Sequence, residues 1–306
     1  MKKYIFDRLI QLLPILLGVT FLTFGMMQLA ADDAVDVIYE QGGATEEVKA
    51  AKRAELGLDK PFLIQYGNWL KGVATGDMGR SFISGKLVFE TFAEKLPATF
   101  ELMTVSILLT IFIATPLGII SAVKQNKFID YVIRFFSFVG NSLPNFFVGL
   151  LLIYFLALKL NLFSIIGQNI FMPALTLTIA MGAKYTRQIR AVVLEELGKN
   201  YVTAAKSRGI NERIILLKSV LRSSLIMIIT LLALSIGSLL GGTAIVETIF
   251  MWDGVGKMAV DAILMKDYPL IQAYVVWMSI IYVLVNLSAD LLYHYLDPRV
   301  KYVEEN

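Results

Sequence analysis

Five uncharged, apolar runs of 22 to 24 residues constrain this chain more than any other feature of its sequence. A bilayer core about 30 Å thick is crossed by roughly 20 apolar residues in a helix, so each run is long enough to span a membrane. The chain as a whole is 57% hydrophobic and only 17% charged, which is typical of proteins whose main solvent is lipid. The runs are Leu9–Ala31, Leu102–Val123, Phe135–Leu158, Ser223–Val246 and Tyr268–Ala289. The sequence therefore predicts an all-α integral membrane protein.

A sixth span is predicted to begin at Phe171, although its second half is basic. Three cations follow at intervals of three residues, at Lys184, Arg187 and Arg190, and therefore lie on adjoining parts of one helix face. The first span is expected to be retained, because its apolar run is too long for a signal peptide and lacks a small-residue cleavage site. We therefore expect six transmembrane helices.

The distribution of Lys and Arg predicts the orientation of these spans. With six spans and the N-terminus inside, 17 of the 28 basic residues fall on the inner side. The bias is sharper in the short loops, which are the loops that follow the positive-inside rule. Both termini are therefore expected on the cytoplasmic side.

The spans divide the chain into four predicted segments. Residues 1–31 form an N-terminal transmembrane helix, and residues 32–96 form an extracytoplasmic loop element in which a helix is predicted to end at Gly57. Residues 97–296 form a five-helix core that contains a charged cytoplasmic loop at 195–222. Residues 297–306 form a cytoplasmic tail.

Signatures of catalysis, nucleotide binding and metal binding are absent from the sequence. The phosphate-loop pattern GxxxxGK[ST] does not occur, so ATP, if used, must be hydrolysed by another chain. There is no cysteine and only one histidine, which excludes thiol chemistry and a His-rich metal site. A net charge of +3, dispersed along the chain, does not favour a nucleic-acid partner. We predict no catalytic residue and no metal site.

Two spans carry polar or small residues that could either line a translocation path or serve helix packing. Pro144 interrupts the third span between two amides, and the backbone groups that it frees need protein or water partners. The fifth span has small residues four apart, which allow another backbone to approach closely. A carboxylate near the outer end of the fifth span is either interfacial or part of the path. The candidate path residues are Asn141, Asn145, Ser238, Gly242 and Glu247.

The cytoplasmic loop at 195–222 resembles the EAA loop of ABC importer permeases. Its first helix reads Tyr201-Val202-Thr203-Ala204-Ala205-Lys206-Ser207-Arg208-Gly209. In that family a short helix of this loop seats in a cleft of the ATPase subunit, and Gly209 would supply the turn to the next helix. Thr203 stands where the motif has Glu. The resemblance assigns ATPase coupling to Tyr201, Thr203, Ala204, Ala205, Arg208, Gly209 and Arg222.

Further motifs along nearly the whole chain resemble the peptide/nickel branch of these permeases. They are Leu56-Gly57-Leu58-Asp59-Lys60-Pro61, Gln65-Tyr66 with Trp69, Gly76-Asp77-Met78-Gly79-Arg80-Ser81, Pro116-Leu117-Gly118, Trp252-Asp253-Gly254-Val255-Gly256, Asp267-Tyr268-Pro269 and Leu296-Asp297-Pro298-Arg299. The segment Ser142-Leu143-Pro144-Asn145-Phe146-Phe147 is more similar to nickel permeases than to dipeptide permeases. This places nickel slightly ahead of peptide as the expected cargo.

The resemblance implies a type I, MetI-like ABC importer permease in the inner membrane of a bacterium, with a long extracytoplasmic loop after the first helix. Its partners would be a homologous second permease, two ABC ATPase subunits that hold ATP and magnesium, an extracytoplasmic substrate-binding protein, and membrane lipid. The chain itself would carry no cofactor. It would form half of the pathway for nickel, as ion or chelate, or for di- or oligopeptides.

A rival function is an ion-coupled secondary carrier that works without an ATPase. Such carriers usually place ionisable groups at the middle of the membrane and are often built from inverted repeats. Neither feature is evident in this sequence. A membrane-embedded assembly scaffold is a third class, but it does not account for the amphipathic loop at 195–222.

Overall fold

A computed structural model describes residues 2–29, 33–39, 43–164 and 169–296 of the chain. Within these ranges the regular secondary structure is helical. The helices are α1 (Lys2–Gln28), α2 (Ala34–Tyr39), α3 (Glu46–Leu56), α4 (Phe62–Ala74), α5 (Val88–Val123), α6 (Phe128–Ser142), α7 (Asn145–Leu152), α8 (Phe171–Leu197), α9 (Asn200–Ser207), α10 (Glu212–Ile215), α11 (Leu221–Ile249), α12 (Val255–Leu264) and α13 (Tyr268–Leu296). π-helical turns, Ile153–Lys159 and Leu216–Val220, continue α7 and α10. The predicted tail at 297–306 lies outside the described residues.

Several helices of the described chain are long and apolar enough to cross a membrane. Four qualify alone, namely Ile10–Gln28, Val88–Val123, Glu212–Leu231 and Tyr268–Leu291, and α6 with α7 qualify together as a bent pair. The all-α membrane architecture is therefore confirmed. Helix α8 is continuous over 27 residues, but its basic second half shortens its apolar stretch. A count of six spans stays a prediction.

The predicted third span, Phe135–Leu158, is not a single straight helix. Helix α6 ends at Ser142, α7 begins at Asn145, and the two are bent by 105°. Pro144 lies at the break, and its carbonyl oxygen accepts a hydrogen bond of 3.1 Å from the backbone N–H of Val148 in the first turn of α7. Proline lacks an N–H and its ring clashes with the preceding turn, which favours a break in the helix at this position.

The chain forms two compact units, and the first consists of residues 1–99 and 253–284. Its apolar core joins the start of α5 to α12 and α13 through Val88, Phe92, Val255, Met258, Ala262, Leu270 and Ala273. Helix α3 begins after Thr45, whose side chain accepts from a backbone N–H, and ends at Gly57 in the left-handed conformation, as the sequence predicts. The predicted segment boundary at residue 96 falls inside α5, which runs without a break through it.

Among the described residues, the second unit consists of 100–164, 169–252 and 285–296, and α8 lies at its centre. Helices α6, α7 and α11 pack against α8. Helix α5 approaches α8 at Gly118, where an added Cβ would lie 2.8 Å from the Ile189 side chain and 2.9 Å from the Thr186 carbonyl oxygen. The glycine of the Pro116-Leu117-Gly118 motif is therefore explained by a helix crossing that leaves no room for a side chain.

Candidate functional site

Helix α9 has one buried face and one exposed face. Val202 and Ala205 are buried in the apolar core of the second unit, together with Val193 of α8 and Ile215 of α10. Thr203, Ala204 and Arg208 are exposed on α9 and the turn after it. An eight-residue helix cannot be stable by itself, so its conformation depends on this packing. The exposed face is therefore held on a fixed support.

The turn after α9 has the geometry that only glycine adopts without strain. Gly209 has φ +74°, and its N–H donates to the carbonyl oxygen of Lys206 at 2.9 Å. The N–H of Ile210 donates to the carbonyl oxygen of Ala205 at 3.2 Å, which completes a Schellman motif. An added Cβ would meet no atom within 4 Å. Glycine is therefore required here by the backbone conformation and not by crowding.

The segment after this turn leads directly into the membrane helix α11. Asn211 caps α10 by accepting from the backbone N–H of Arg213 at 2.9 Å. An exposed ion pair between Lys206 and Glu212, 2.9 Å apart, bridges the turn and contributes little stability. Arg222 is exposed in the first turn of α11. It is the one coupling candidate that lies away from α9 and its turn.

The end of α8 is joined to α9 by a polar contact at Glu196. The Tyr201 hydroxyl donates to Glu196 Oε1 at 2.9 Å, and Lys199 forms an ion pair with the same carboxylate. Burial alone would raise the pKa of Glu196, but the hydrogen bonds from Lys199 and Tyr201 lower it below its ordinary value. The carboxylate is therefore charged at neutral pH. Tyr201, a coupling candidate, uses its hydroxyl within the chain.

An ion pair between Asp130 and Arg190 supports this region and is absent from the sequence predictions. Asp130 is fully buried in the first turn of α6, and it accepts from Arg190 Nε at 2.8 Å and from Nη2 at 2.9 Å. It also accepts from the Asn126 N–H at 2.9 Å and from the Ser121 hydroxyl. One carboxylate thus connects α5, the following loop, α6 and α8.

A signal for this pair exists in the sequence, but it does not identify the partner. Asp130 is the single acidic residue between Lys124 and Arg134, in a short loop region that is otherwise basic. Arg190 belongs to the basic face of α8 and is 60 residues away. The sequence gives no reason to choose Arg190 over Arg187 or Lys184 as the partner of Asp130.

The candidate path residues occupy different environments in the structure. Asn141 is exposed at the end of α6, and Asn145 is half-buried at the start of α7, on the two sides of the 105° break. Glu247 is fully buried near the end of α11, so its carboxylate does not lie on an open surface of this chain. Ser238 and Gly242 lie within α11, and their surroundings fall outside the described residues.

Two family models together match most of the chain. The model described as "Binding-protein-dependent transport system inner membrane component" matches residues 114–302, and the N-terminal model of the same transport systems matches residues 1–103. The first match contains the whole α8–α11 region described above.

Curated relatives align over nearly the full length of the chain. The oligopeptide transport system permease protein AppB of Bacillus subtilis is 37% identical, covering 99% of this chain and all of AppB. The dipeptide transport system permease protein DppB of Alkalihalophilus pseudofirmus is 32% identical, with 99% of this chain and all of DppB covered. The nickel import system permease protein NikB of Staphylococcus aureus is 35% identical, with 97% of this chain and 91% of NikB covered.

Solved structures establish the fold. A chain of the inward-facing MetNI methionine ABC transporter matches 68% of this chain and 97% of its own length, with a TM-score of 0.59 at 15% identity. A chain of an amino acid ABC transporter matches 68% of this chain and 94% of its own length, with a TM-score of 0.56 at 14% identity. The fold is that of a type I ABC importer permease, and ATP hydrolysis lies in separate subunits. The chain belongs to the oligopeptide/dipeptide/nickel family of ABC importer permeases.

Proposed function

We propose that this chain forms half of a translocation pathway and pairs with a homologous second permease. Helix α9 docks on one of two ATPase chains, which bind the ATP and magnesium of the complex. An extracytoplasmic binding protein delivers the cargo. Both termini of the chain, and α9, lie on the cytoplasmic side, in keeping with the excess of Lys and Arg there.

The division of α9 into a buried and an exposed face is the observation that carries this proposal. A helix that docks on a moving partner must offer a free surface and must also be attached firmly to the helices that it moves. The exposed Thr203, Ala204 and Arg208 supply the surface, and the buried Val202 and Ala205 supply the attachment. Thr203 lacks a carboxylate, so contact with the ATPase relies on shape and on Arg208 instead of an acidic group.

A displacement of α9 would be transmitted to the membrane helices through two polar contacts. Tyr201 and Lys199 fix α9 to the end of α8 through Glu196. Arg190 then fixes α8 to the first turn of α6 through Asp130. Motion of α9 would therefore carry α8 and α6 together as one group. A cavity of about 520 Å³ lies between the end of α5, the end of α8 and the α9–α10 region, so close packing does not add to these polar contacts there.

The cargo is nickel, as ion or chelate, or a di- or oligopeptide. The sequence offers one histidine and no cysteine, whereas nickel is held tightly by imidazole and thiolate ligands. Weak oxygen and amide contacts along the path let cargo leave, so high affinity resides in the binding protein. Asn141, Asn145, Ser238, Gly242 and Glu247 are the proposed path residues; Glu247 would need a change of conformation to become accessible.

Accessibility of engineered thiols tests the proposed path. The chain has no cysteine, so Asn145→Cys and Ser238→Cys each introduce a single reactive site. In the assembled importer we expect both to react with a membrane-impermeant thiol reagent at rates that change with bound nucleotide, because alternating access opens the path to one side at a time. Val148→Cys, at a buried position of α7, is the matched control and should stay unreactive. If neither test site reacts in any nucleotide state, both are packing residues.

A further inference from the structure

A cavity of about 380 Å³ lies within the unit formed by residues 1–99 and 253–284. Four of the motifs that carry the family resemblance meet in its walls: the segment at the end of α3, the Gln65 and Trp69 positions of α4, the turn at 78–82 and the first turn of α13. Its volume is in the range of small-molecule sites, which is about 300–1,000 Å³. In the proposed orientation this unit contains the extracytoplasmic element.

The walls of this cavity are fixed by specific hydrogen bonds. After the left-handed Gly57, the Leu58 N–H donates to the carbonyl oxygen of Arg53 at 2.9 Å. Gln65 Nε2 donates to the carbonyl oxygens of Leu58, at 3.1 Å, and Lys60, at 2.7 Å, and so closes the loop between α3 and α4. The cavity is therefore formed before any ligand arrives.

The opposite wall is held by a buried carboxylate. Asp267 accepts from the backbone N–H of Phe82 at 3.0 Å and from the Ser81 hydroxyl, and is itself 2% exposed. These bonds fix the turn at 78–82 against the start of α13. Met78 on this turn accepts from the Trp277 indole N–H at 3.1 Å.

Two buried hydrogen-bond donors in the cavity walls have no partner. They are the indole Nε1 of Trp69 and the amide Nε2 of Gln272. Leaving a buried donor unpaired costs about 1–3 kcal/mol, so such atoms need an explanation. In the described chain, four other buried side-chain polar atoms are unpaired, and all four belong to the second unit. The unpaired donors of the first unit are thus both in this cavity.

The rest of the lining defines the chemistry of a ligand. Phe24, Phe82 and Tyr268 provide aromatic surface, Lys60 and Arg80 provide positive charge, and Glu55 is the single carboxylate. Aromatic surface binds an apolar side chain, and cations with N–H donors bind carboxylate and carbonyl oxygens. One carboxylate, without histidine or cysteine in the lining, is a poor site for a bare nickel ion.

We propose that this cavity binds a short peptide with an apolar side chain. The peptide's oxygens accept from Trp69 and Gln272, its carboxylate lies near Lys60 and Arg80, and its ammonium group lies near Glu55. Both donor nitrogens are covered by neighbouring atoms in the free cavity, so the Gln272 amide and the Trp69 indole both turn toward the ligand when it binds. The choice of peptide as the ligand class rests on the proposed function.

Equilibrium binding of radiolabelled leucyl-phenylalanine to the purified full chain tests this site. We expect saturable binding that is about tenfold weaker in Trp69→Phe and in Gln272→Leu, because each loses one hydrogen bond to the ligand. The matched controls are Gln188→Leu in α8 and Thr110→Val in α5, which remove unpaired buried polar atoms outside this cavity, and both should bind as the unmodified chain does. Nickel chloride and nickel citrate are tested as competitors and should not displace the peptide.

The thermal stability of the ligand-free variants separates a binding role from a structural role. Removing an unpaired donor removes its desolvation penalty, so Gln272→Leu, which keeps a side chain of similar size, should keep or raise the unfolding midpoint without peptide. No saturable peptide binding, equal weakening in the controls, or displacement by nickel citrate would each overturn the proposal. ATP-driven peptide uptake by the assembled importer without binding to this chain would refute the site and leave the proposed function intact.

Discussion

Asp130→Ala is expected to destabilise the chain by about 3 kcal/mol, the lower end of the range for breaking a buried ion pair. The alanine lacks the carboxylate that accepts from Arg190, from the Ser121 hydroxyl and from the Asn126 N–H. The Arg190 guanidinium is then left largely buried without its counter-charge. The lower end applies because the Arg190 side chain is still 20% exposed. The unfolding midpoint of the purified chain, followed by circular dichroism, measures the effect.

The control for this variant is the exposed ion pair beside α9. Glu212→Ala removes an acidic partner at a similar distance, 2.9 Å from Lys206, but in solvent, so the expected change is about 0–1 kcal/mol. A double change of Asp130 and Arg190 to leucine should recover part of the loss, since no charge remains buried. Equal unfolding midpoints for Asp130→Ala and Glu212→Ala would contradict the assigned role of the pair.

Gly209→Val is expected to abolish ATP-driven transport while the importer still assembles. A β-branched residue at φ +74° costs about 1–2 kcal/mol, and this strain is relieved by moving the end of α9 out of its docking position. Because nothing lies within 4 Å of the added Cβ position, the effect comes from the backbone and not from a clash. ATPase activity and cargo uptake in proteoliposomes are measured together, and ATP hydrolysis without uptake is the expected result.

Gly85→Val is the matched control for this substitution. Gly85 also has a positive φ, +70°, and open space around its Cβ position, but it lies in the first unit. It carries the same backbone strain without touching α9. Normal uptake in Gly209→Val, or equal loss of uptake in Gly85→Val, would show that the geometry of the turn after α9 does not serve coupling.

The features that could be predicted from the sequence are those set by local chemistry. Gly57 and Gly209 were expected to end helices, and both have the left-handed conformation in the structure. Pro144 was expected to interrupt the third span, and the helix does end there. The bend of 105° could not be predicted, because its size depends on how α6 and α7 pack against α8.

The features that escaped prediction depend on residues far apart in the chain. Asp130 and Arg190 are 60 positions apart, and each taken alone is an ordinary charge near a helix end. The cavity walls join Trp69 to Gln272 across more than half of the sequence. Each surrounding motif is visible in the sequence, but only the fold brings them together. The assignment of α9 as a coupling helix stays a prediction; it could be made from the sequence because the exposed face of α9 and the turn after it lie within one short segment.

Cross-linking from the exposed face of α9 tests the central claim most directly. In the assembled importer, Ala204→Cys carrying a short photoactivatable thiol reagent should form a covalent product with an ATPase chain, in a yield that depends on bound nucleotide. Val202→Cys, on the buried face of the same helix, is the matched control and should form no such product. Absence of the Ala204 product in every nucleotide state, from an importer that contains both ATPase chains, would contradict the assignment of α9 as the coupling helix.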